Sequence, residues 1–286
     1  MFERITSILM VFILLFSSFA IADGVSTTDR VVSIGKNLTD SQKNQILSYF
    51  GVDKDIEIVE VTNEEERQYL GKYIDAKLLG TRALSCAYVE KLKEGEGITV
   101  ETHNITWVTE DMYKNALITA GIKDAKVIVA SPVKVSGTAA LTGIMKAFED
   151  ITGESLTKKE KEVASEEIAK TAMLGNEIGQ EKASELIENI KINVVANNIR
   201  SKKDIRRAVQ AAAKELGVEL TDEQTDEVVA LMKRIAKLNL DLNDIRTQLK
   251  DISGKIDKIS KQNEEIKSLL NRIIDYFGQL FSKLFG

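Results

Sequence analysis

The chain has 286 residues and a formal net charge of −5; 43% of its residues are apolar and 29% are charged. This balance indicates a folded rather than a disordered chain, and it excludes general nucleic-acid binding, which needs a strongly basic surface. A single cysteine excludes an intramolecular disulfide, and one cysteine with one histidine argues against a zinc site.

The first 22 residues have the layout of a secretory signal peptide. A short charged region at 1–4 precedes an apolar run at 8–16, and small residues at 20–22 supply an A-x-A cleavage site. The apolar run is shorter than the roughly 20 residues that a membrane-spanning helix needs. We therefore expect cleavage after Ala22 and a protein that is secreted or resides in the extracytoplasmic cell envelope. A retained N-terminal anchor is the alternative.

Residues 23–153 are predicted to form an α+β head domain, because helical and strand patterns alternate along them. The predicted strands are 56–61, 82–92, 98–108 and 125–130, and the predicted helices begin at Thr39, Asn63, Thr109 and Thr138. From the first strand to the last the order is β-α-β-β-α-β, which predicts a ferredoxin-like fold. Capping boxes mark two helix starts, Thr39 with Gln42 and Asn63 with Glu66.

Residues 154–220 are predicted to form a helical domain. Thr157 and Glu160 make a capping box, and apolar residues recur at helical spacing as far as Leu216. Five basic residues lie close together in this region: Arg200, Lys202, Lys203, Arg206 and Arg207. They indicate either a solvated surface or a surface that binds an anionic envelope polymer or lipid.

Residues 221–286 carry the clearest pattern in the chain, which predicts one long coiled-coil helix. The helix begins at a capping box of Thr221 with Gln224, and from Ile235 onward apolar residues recur at spacings of three and four. The repeat is interrupted by Asn263 at a core position. A buried Asn fixes register when it meets the same residue of another chain, so we expect a parallel homo-oligomer. Antiparallel packing on the earlier helices is the alternative.

The C-terminal part of this region, residues 269–285, is amphipathic. Its apolar stripe is wider than the two positions of a coiled-coil seam. Such a stripe fits a helix that docks on a neighbouring helix or one that lies at a membrane surface. Only Arg272 and Lys283 are basic there, which favours docking.

The stretch of small residues from Ser136 to Gly143 is the sharpest local motif. It leads from a buried strand into a helix, and backbone N–H groups at a helix start can bind an anion. Ser136, Gly137 and Thr138 are therefore the candidate ligand-binding residues. Tight packing at Gly137 and helix capping by Ser136 or Thr138 are the alternative roles. The stretch lacks the Gly-Lys-Ser/Thr of a P-loop, and no cofactor or metal is predicted.

A serine hydrolase would need a base beside Ser136, and His103 is the only histidine in the sequence; Cys86 is the only cysteine. The apolar phase of the strand changes near His103, which predicts a β-bulge. A solvent-facing His103 is favoured over a base paired with Ser136. Cys86 lies within a predicted strand, so we expect a buried thiol rather than a nucleophile.

Four segments carry a family resemblance: VTNEE at 61–65, GTRALS at 80–85, MYKNALITAGI at 112–122 and VSGTAALTG at 135–143. Together they resemble the YpuA-like domain-of-unknown-function family, number 1002. The resemblance covers most of the chain after the signal peptide. It implies an exported, envelope-associated or secreted protein of Gram-positive bacteria, and it supplies no catalytic residues.

The sequence thus favours a non-enzymatic, extracytoplasmic binding or scaffold protein that oligomerises through its C-terminal coiled coil. The expected partners are other copies of the chain, with an envelope polymer, a membrane surface or another envelope protein as further candidates. One alternative is a ligand-binding or hydrolytic head that uses residues 136–143. Another is a membrane-surface protein anchored by its C-terminal helix.

Overall fold

A computed structural model describes residues 29–53 and 55–249 of the chain. The predicted signal peptide and the part of the predicted coiled coil from 250 to 286, with Asn263, lie outside the described residues. None of the helices within the described ranges has the length and hydrophobicity needed to cross a membrane.

The described residues form five strands and ten helices. The strands are β1 (Arg30–Gly35), β2 (Ile58–Val61), β3 (Cys86–Lys91), β4 (Ile98–Ile105) and β5 (Ala125–Val135). The helices are α1 (Asp40–Phe50), α2 (Asn63–Leu70), α3 (Ala76–Leu79), α4 (Glu110–Thr119), α5 (Thr138–Thr152), α6 (Lys158–Ile178), α7 (Gln180–Ala196), α8 (Lys202–Glu215), α9 (Asp222–Ile235) and α10 (Leu242–Gln248). The α+β class is therefore confirmed.

The five strands form one mixed sheet in the order β2-β1-β3-β5-β4. Two parallel pairs, β1 with β2 and β4 with β5, flank β3, which is antiparallel to both of its neighbours. The predicted ferredoxin-like arrangement is not confirmed, because the predicted order of strands did not include β1. This strand pairs with both β2 and β3, so it moves β2 to the edge of the sheet. The sequence analysis missed this strand, although its Val31, Val32 and Ile34 are residues typical of strands.

The two faces of the sheet are covered by different helices. On one face α1 packs through Ile46 and Phe50 against alternating residues such as Cys86 and Tyr88. The opposite face is covered by α4 and α5, which share a core with residues of the other strand phase such as Val89, and α6 packs on α4 as part of the same core. This alternation follows from the period of two along a strand.

A second hydrophobic core lies between α6, α7, α8 and α9. Helix α6 joins the two cores, because Ala164 and Ile168 belong to the core under the sheet while Val163 and Leu174 belong to the helical one. The division into domains at 23–153, 154–220 and 221–286 stays a prediction.

The capping boxes explain where several helices begin. The boxes of Thr39, Thr157 and Thr221 are present, each with its partner three residues on. The predicted box of Asn63 with Glu66 is wrong by one residue. Thr62 caps α2 with Glu65 instead, because Thr62 offers a hydroxyl that accepts the N–H of Glu65 at 3.1 Å. The shift leaves the Glu66 side chain available for another contact.

The predicted continuous helix from residue 221 is wrong at 236–241. Helix α9 ends at Ile235, and a new helix, α10, begins after Asp241, whose carboxylate accepts the N–H groups of Asn243 and Asp244. Four of the core positions assigned to the first heptads are buried inside this chain, and the fifth, Leu242, is half-buried; the buried ones are Ile235, Leu238, Ile245 and Leu249. Two successive amphipathic helices that pack on one body produce the same apolar spacing as the start of a coiled coil.

Candidate functional site

Ser136, Gly137 and Thr138 connect the end of β5 to the start of α5. Gly137 has a φ of +97°, a value that favours glycine. A Cβ atom there would lie 2.5 Å from both the Ile105 methyl group and the Tyr113 hydroxyl. Gly137 is therefore required for its backbone conformation and for close packing.

An internal carboxyl group faces the start of α5. The Thr138 hydroxyl donates to Glu66 Oε1 at 2.5 Å, and the Ser136 hydroxyl lies 3.2 Å from that of Thr138. Glu66 is buried, and its second oxygen accepts from the Asn63 amide at 3.1 Å. Burial raises the pKa of Glu66, while the hydrogen bonds from Thr138 and Asn63 and the charge of Arg67 oppose this rise. The place where we predicted an external anion is thus next to a carboxyl group of this chain.

Tyr113 contacts the connection between β5 and α5 at Gly137. Its hydroxyl donates to the carbonyl of Gly137 at 2.5 Å, and the side chain is fully buried. Burial, together with the nearby charge of Glu66, raises the pKa of Tyr113 far above its ordinary value. The phenol is therefore a neutral hydrogen-bond donor that holds the loop in place. As ligand contacts, Ser136, Gly137 and Thr138 stay a prediction.

His103 and Cys86 belong to the face of the sheet that α1 covers. His103 pairs in register with Ala130 of that face, and its ring stacks on Tyr49 with centroids 4.5 Å apart. The predicted bulge is confirmed, since the register shifts between His103 and Ile105. Cys86 is fully buried, and burial raises the pKa of its thiol to about 11. The prediction of a buried thiol is confirmed.

The sequence analysis missed a buried ion pair between α6 and α7. The Lys191 ammonium donates to Glu167 Oε1 at 2.8 Å, to the Asn115 carbonyl at 2.8 Å and to the Thr119 hydroxyl at 3.2 Å. The side chains of Lys191 and Glu167 are 0% and 1% exposed. One signal was present, because Lys191 follows Ile187 by four residues and precedes Val194 by three, which places it on the apolar face of α7.

Glu188 extends this buried network to the surface of α7. It is partly exposed and accepts from the Asn115 amide at a long 3.4 Å. Burial raises the pKa of Glu188 to about 7; Lys191 opposes the rise and Asp111 adds to it. The network therefore joins α4, α6 and α7 and contains a carboxyl group that titrates near neutral pH.

The basic residues between 200 and 207 are largely paired within the chain. Arg206 and Lys202 both bind the Asp226 carboxylate of α9, and Arg207 binds Asp204. These pairs favour a solvated helix junction over an exposed anion-binding surface.

Among residues 29–53 and 55–249, no group of three or more His, Cys, Asp or Glu is placed to hold a metal ion.

Comparison with known proteins identifies a family and one similar protein. A family model described as a protein of unknown function (DUF1002) matches residues 34–252. The uncharacterized protein YpuA of Bacillus subtilis (strain 168) is 39% identical over 275 residues, which cover 96% of this chain and 94% of the relative. No solved structure is significantly similar to the chain.

Proposed function

Because the chain belongs to the DUF1002 family of proteins of unknown function, we propose its function from its own residues. It is an exported, non-enzymatic binding or scaffold protein that self-associates through residues 250–286. The family membership agrees with the resemblance in the sequence, while export, self-association and binding are the proposal.

One observation carries the proposal: the apolar repeat continues in the sequence after Leu249, the last residue that the structure describes. Four repeat positions up to Leu249 belong to the chain's own cores: Ile235, Leu238, Ile245 and Leu249. The repeat then continues, interrupted by Asn263, through Ile252, Ile256, Ile259, Ile266, Leu270 and Ile273. A seam of this length buries enough apolar surface to hold chains together, and a lone core Asn sets their register.

The candidate ligand site supports a scaffold more than a hydrolytic head. Ile105 and Tyr113 occupy the space around Gly137, and Thr138 is bonded to Glu66. A hydrolase would also need a base within hydrogen-bond reach of Ser136. His103 instead stacks on Tyr49 at the face covered by α1.

A matched pair of variants in the mature chain, residues 23–286, tests self-association. Ile266→Asp places a carboxylate at a core position of the repeat, whereas Ser268→Asp adds the same charge two residues away, on its outer face. We expect sedimentation to give an oligomer for the wild type and for Ser268→Asp, and a monomer for Ile266→Asp. A monomeric wild type contradicts the proposal.

Fractionation of the producing cells tests export. We expect the protein in the envelope or the medium, with a mass that corresponds to cleavage after Ala22. Protein confined to the cytoplasm at full length contradicts this part of the proposal. Liposome binding that is lost on deletion of residues 269–286 would instead favour the membrane-surface alternative.

A further inference from the structure

We infer that self-association brings the bodies together at one defined end, which carries both ends of the described residues, Asp29 and Leu249. We call it the base end and define it by Asp29, the β3–β4 turn at 92–97, and Gln248. The partner at this surface is a second copy of the chain. The inference rests on the proposed self-association, and it adds which surfaces of the bodies face each other.

The C-terminal end of the described residues is held at the base end by a set of hydrogen bonds around Asp124. The backbone N–H of Asp124 donates to Gln248 Oε1 at 2.8 Å, and Gln248 Nε2 donates back to Asp124 Oδ1 at 3.2 Å. The same carboxylate oxygen accepts the N–H groups of Gly95 and Gly97 at 3.0 and 2.8 Å. Helix α10 and the β3–β4 turn are thus joined through one side chain.

Close packing strengthens this attachment. Gly97 has a φ of +82°, and a Cβ atom there would lie 3.0 Å from the carbonyl oxygen of Thr247. Ile245 and Leu249 are buried in the core under the sheet. Lys123 also pairs with Asp244 at 2.5 Å. Residue 249 is therefore held at a known position when the chain continues into the apolar repeat.

Asp29, the first described residue, lies beside the C-terminal end of the described residues. The carbonyl of Asp29 accepts the N–H of Lys91 at 2.7 Å, and the N–H of Leu92 donates to the carbonyl of Asp124 at 2.7 Å. Residues 29 and 124 thus flank the same end of β3, on its two neighbours β1 and β5. Two strand spacings separate them, about 10 Å.

The surface at the base end suits a second copy. An open depression of about 420 Å³ lies there, lined by Asp29, Glu90, Lys91, Leu92, Lys93 and Glu96. Its charged groups are three acids and two bases, whereas the whole chain carries −5. Two copies that meet at this near-balanced surface can pair opposite charges and avoid the repulsion between their net charges.

The opposite end of the sheet then faces away from the oligomer. We call it the outer end and define it by three exposed bases: Lys36 in the loop after β1, Arg82 in the loop before β3, and Lys134 near the end of strand β5. The six residues of β1 put this end about 20 Å from the base end. In the assembled protein the outer ends are separated, while the base ends are close.

Cysteine cross-linking measures which ends are close. Lys93→Cys places a thiol at the base end, and Lys36→Cys places one at the outer end; both positions are exposed. Cys86 can remain, because it is fully buried and burial raises the pKa of its thiol to about 11. The mature chain is treated with a bis-maleimide short enough to span only neighbouring thiols, and dimers are quantified on denaturing gels.

We expect about tenfold more cross-linked dimer from Lys93→Cys than from Lys36→Cys, because the thiols at the base ends are held close together at millimolar effective concentration, whereas those at the outer ends are kept apart. The difference should vanish when Ile266→Asp is added to each variant. Equal cross-linking in an oligomer, or a preference for Lys36→Cys, overturns the inference and leaves the proposed self-association standing. A monomer by sedimentation overturns both.

Discussion

Removal of the Lys191 ammonium provides the sharpest test of the described structure. Lys191→Met keeps most of the side-chain volume but leaves the buried carboxylate of Glu167 without a counter-charge. It also leaves the Asn115 carbonyl and the Thr119 hydroxyl without their donor. Removal of one partner from a buried ion pair costs about 3–5 kcal/mol, so we expect a loss of this size in the free energy of unfolding.

Two further variants separate the buried pair from charge effects at the surface. In Lys191→Met/Glu167→Leu both charges are gone, and most of the lost stability should return, because the desolvated carboxylate is no longer present. The control is Lys72→Met, which removes a lysine 67% exposed and 4.0 Å from its partner Glu162. It should cost less than about 1 kcal/mol.

Urea unfolding, followed by far-UV circular dichroism, measures all of these variants. The free energy of unfolding should fall with urea concentration at the same slope in all variants, so that differences between their midpoints report differences in stability. The reasoning is refuted if Lys191→Met costs no more than Lys72→Met, or if the double variant is less stable than the single one. Either result would mean that an unpaired, buried Glu167 carboxylate is not the cause of the lost stability.

Gly137→Ala should lower the free energy of unfolding by about 1–3 kcal/mol more than Gly153→Ala. Both glycines have a positive φ, but only Gly137 has neighbours within 4 Å; equal losses in urea unfolding would contradict the close packing. The pKa of Glu188 is about 7 in the folded protein against an ordinary 4.5, so the folded state binds more protons between these values. Stability should therefore fall as pH rises through them, and Glu188→Gln should flatten this profile; an unchanged profile counts against the cause.

The sequence predicts structure well where the deciding contact is local. Thr39 and Thr157 begin helices as expected, because a capping hydroxyl and its N–H partner are three residues apart. The bulge near His103 was predicted from the change of apolar phase along one strand. The boundary of α2 shows the limit of such reasoning, since Thr62 and Asn63 are both acceptable caps and the sequence does not rank them.

The candidate site could be predicted only in part. Ser136, Gly137 and Thr138 do stand at a helix start after a buried strand, as the sequence indicates. That Glu66 would face them was outside the reach of pattern reasoning, because Thr138 and Glu66 are 72 positions apart. Lys191 is a similar case, since its partner Asn115 lies 76 positions away.

The sequence alone determined the family, the absence of an intramolecular disulfide, and the position and type of most helices and strands. These depend on composition and on periodicity within one element, where the interacting groups are neighbours in the chain. Tertiary structure decided the strand order, the burial of the repeat's first heptads within the chain's own cores, and the burial of Glu66 and Lys191. Each of these depends on which distant segment covers a given face, and a periodic apolar stripe contains no information about its partner.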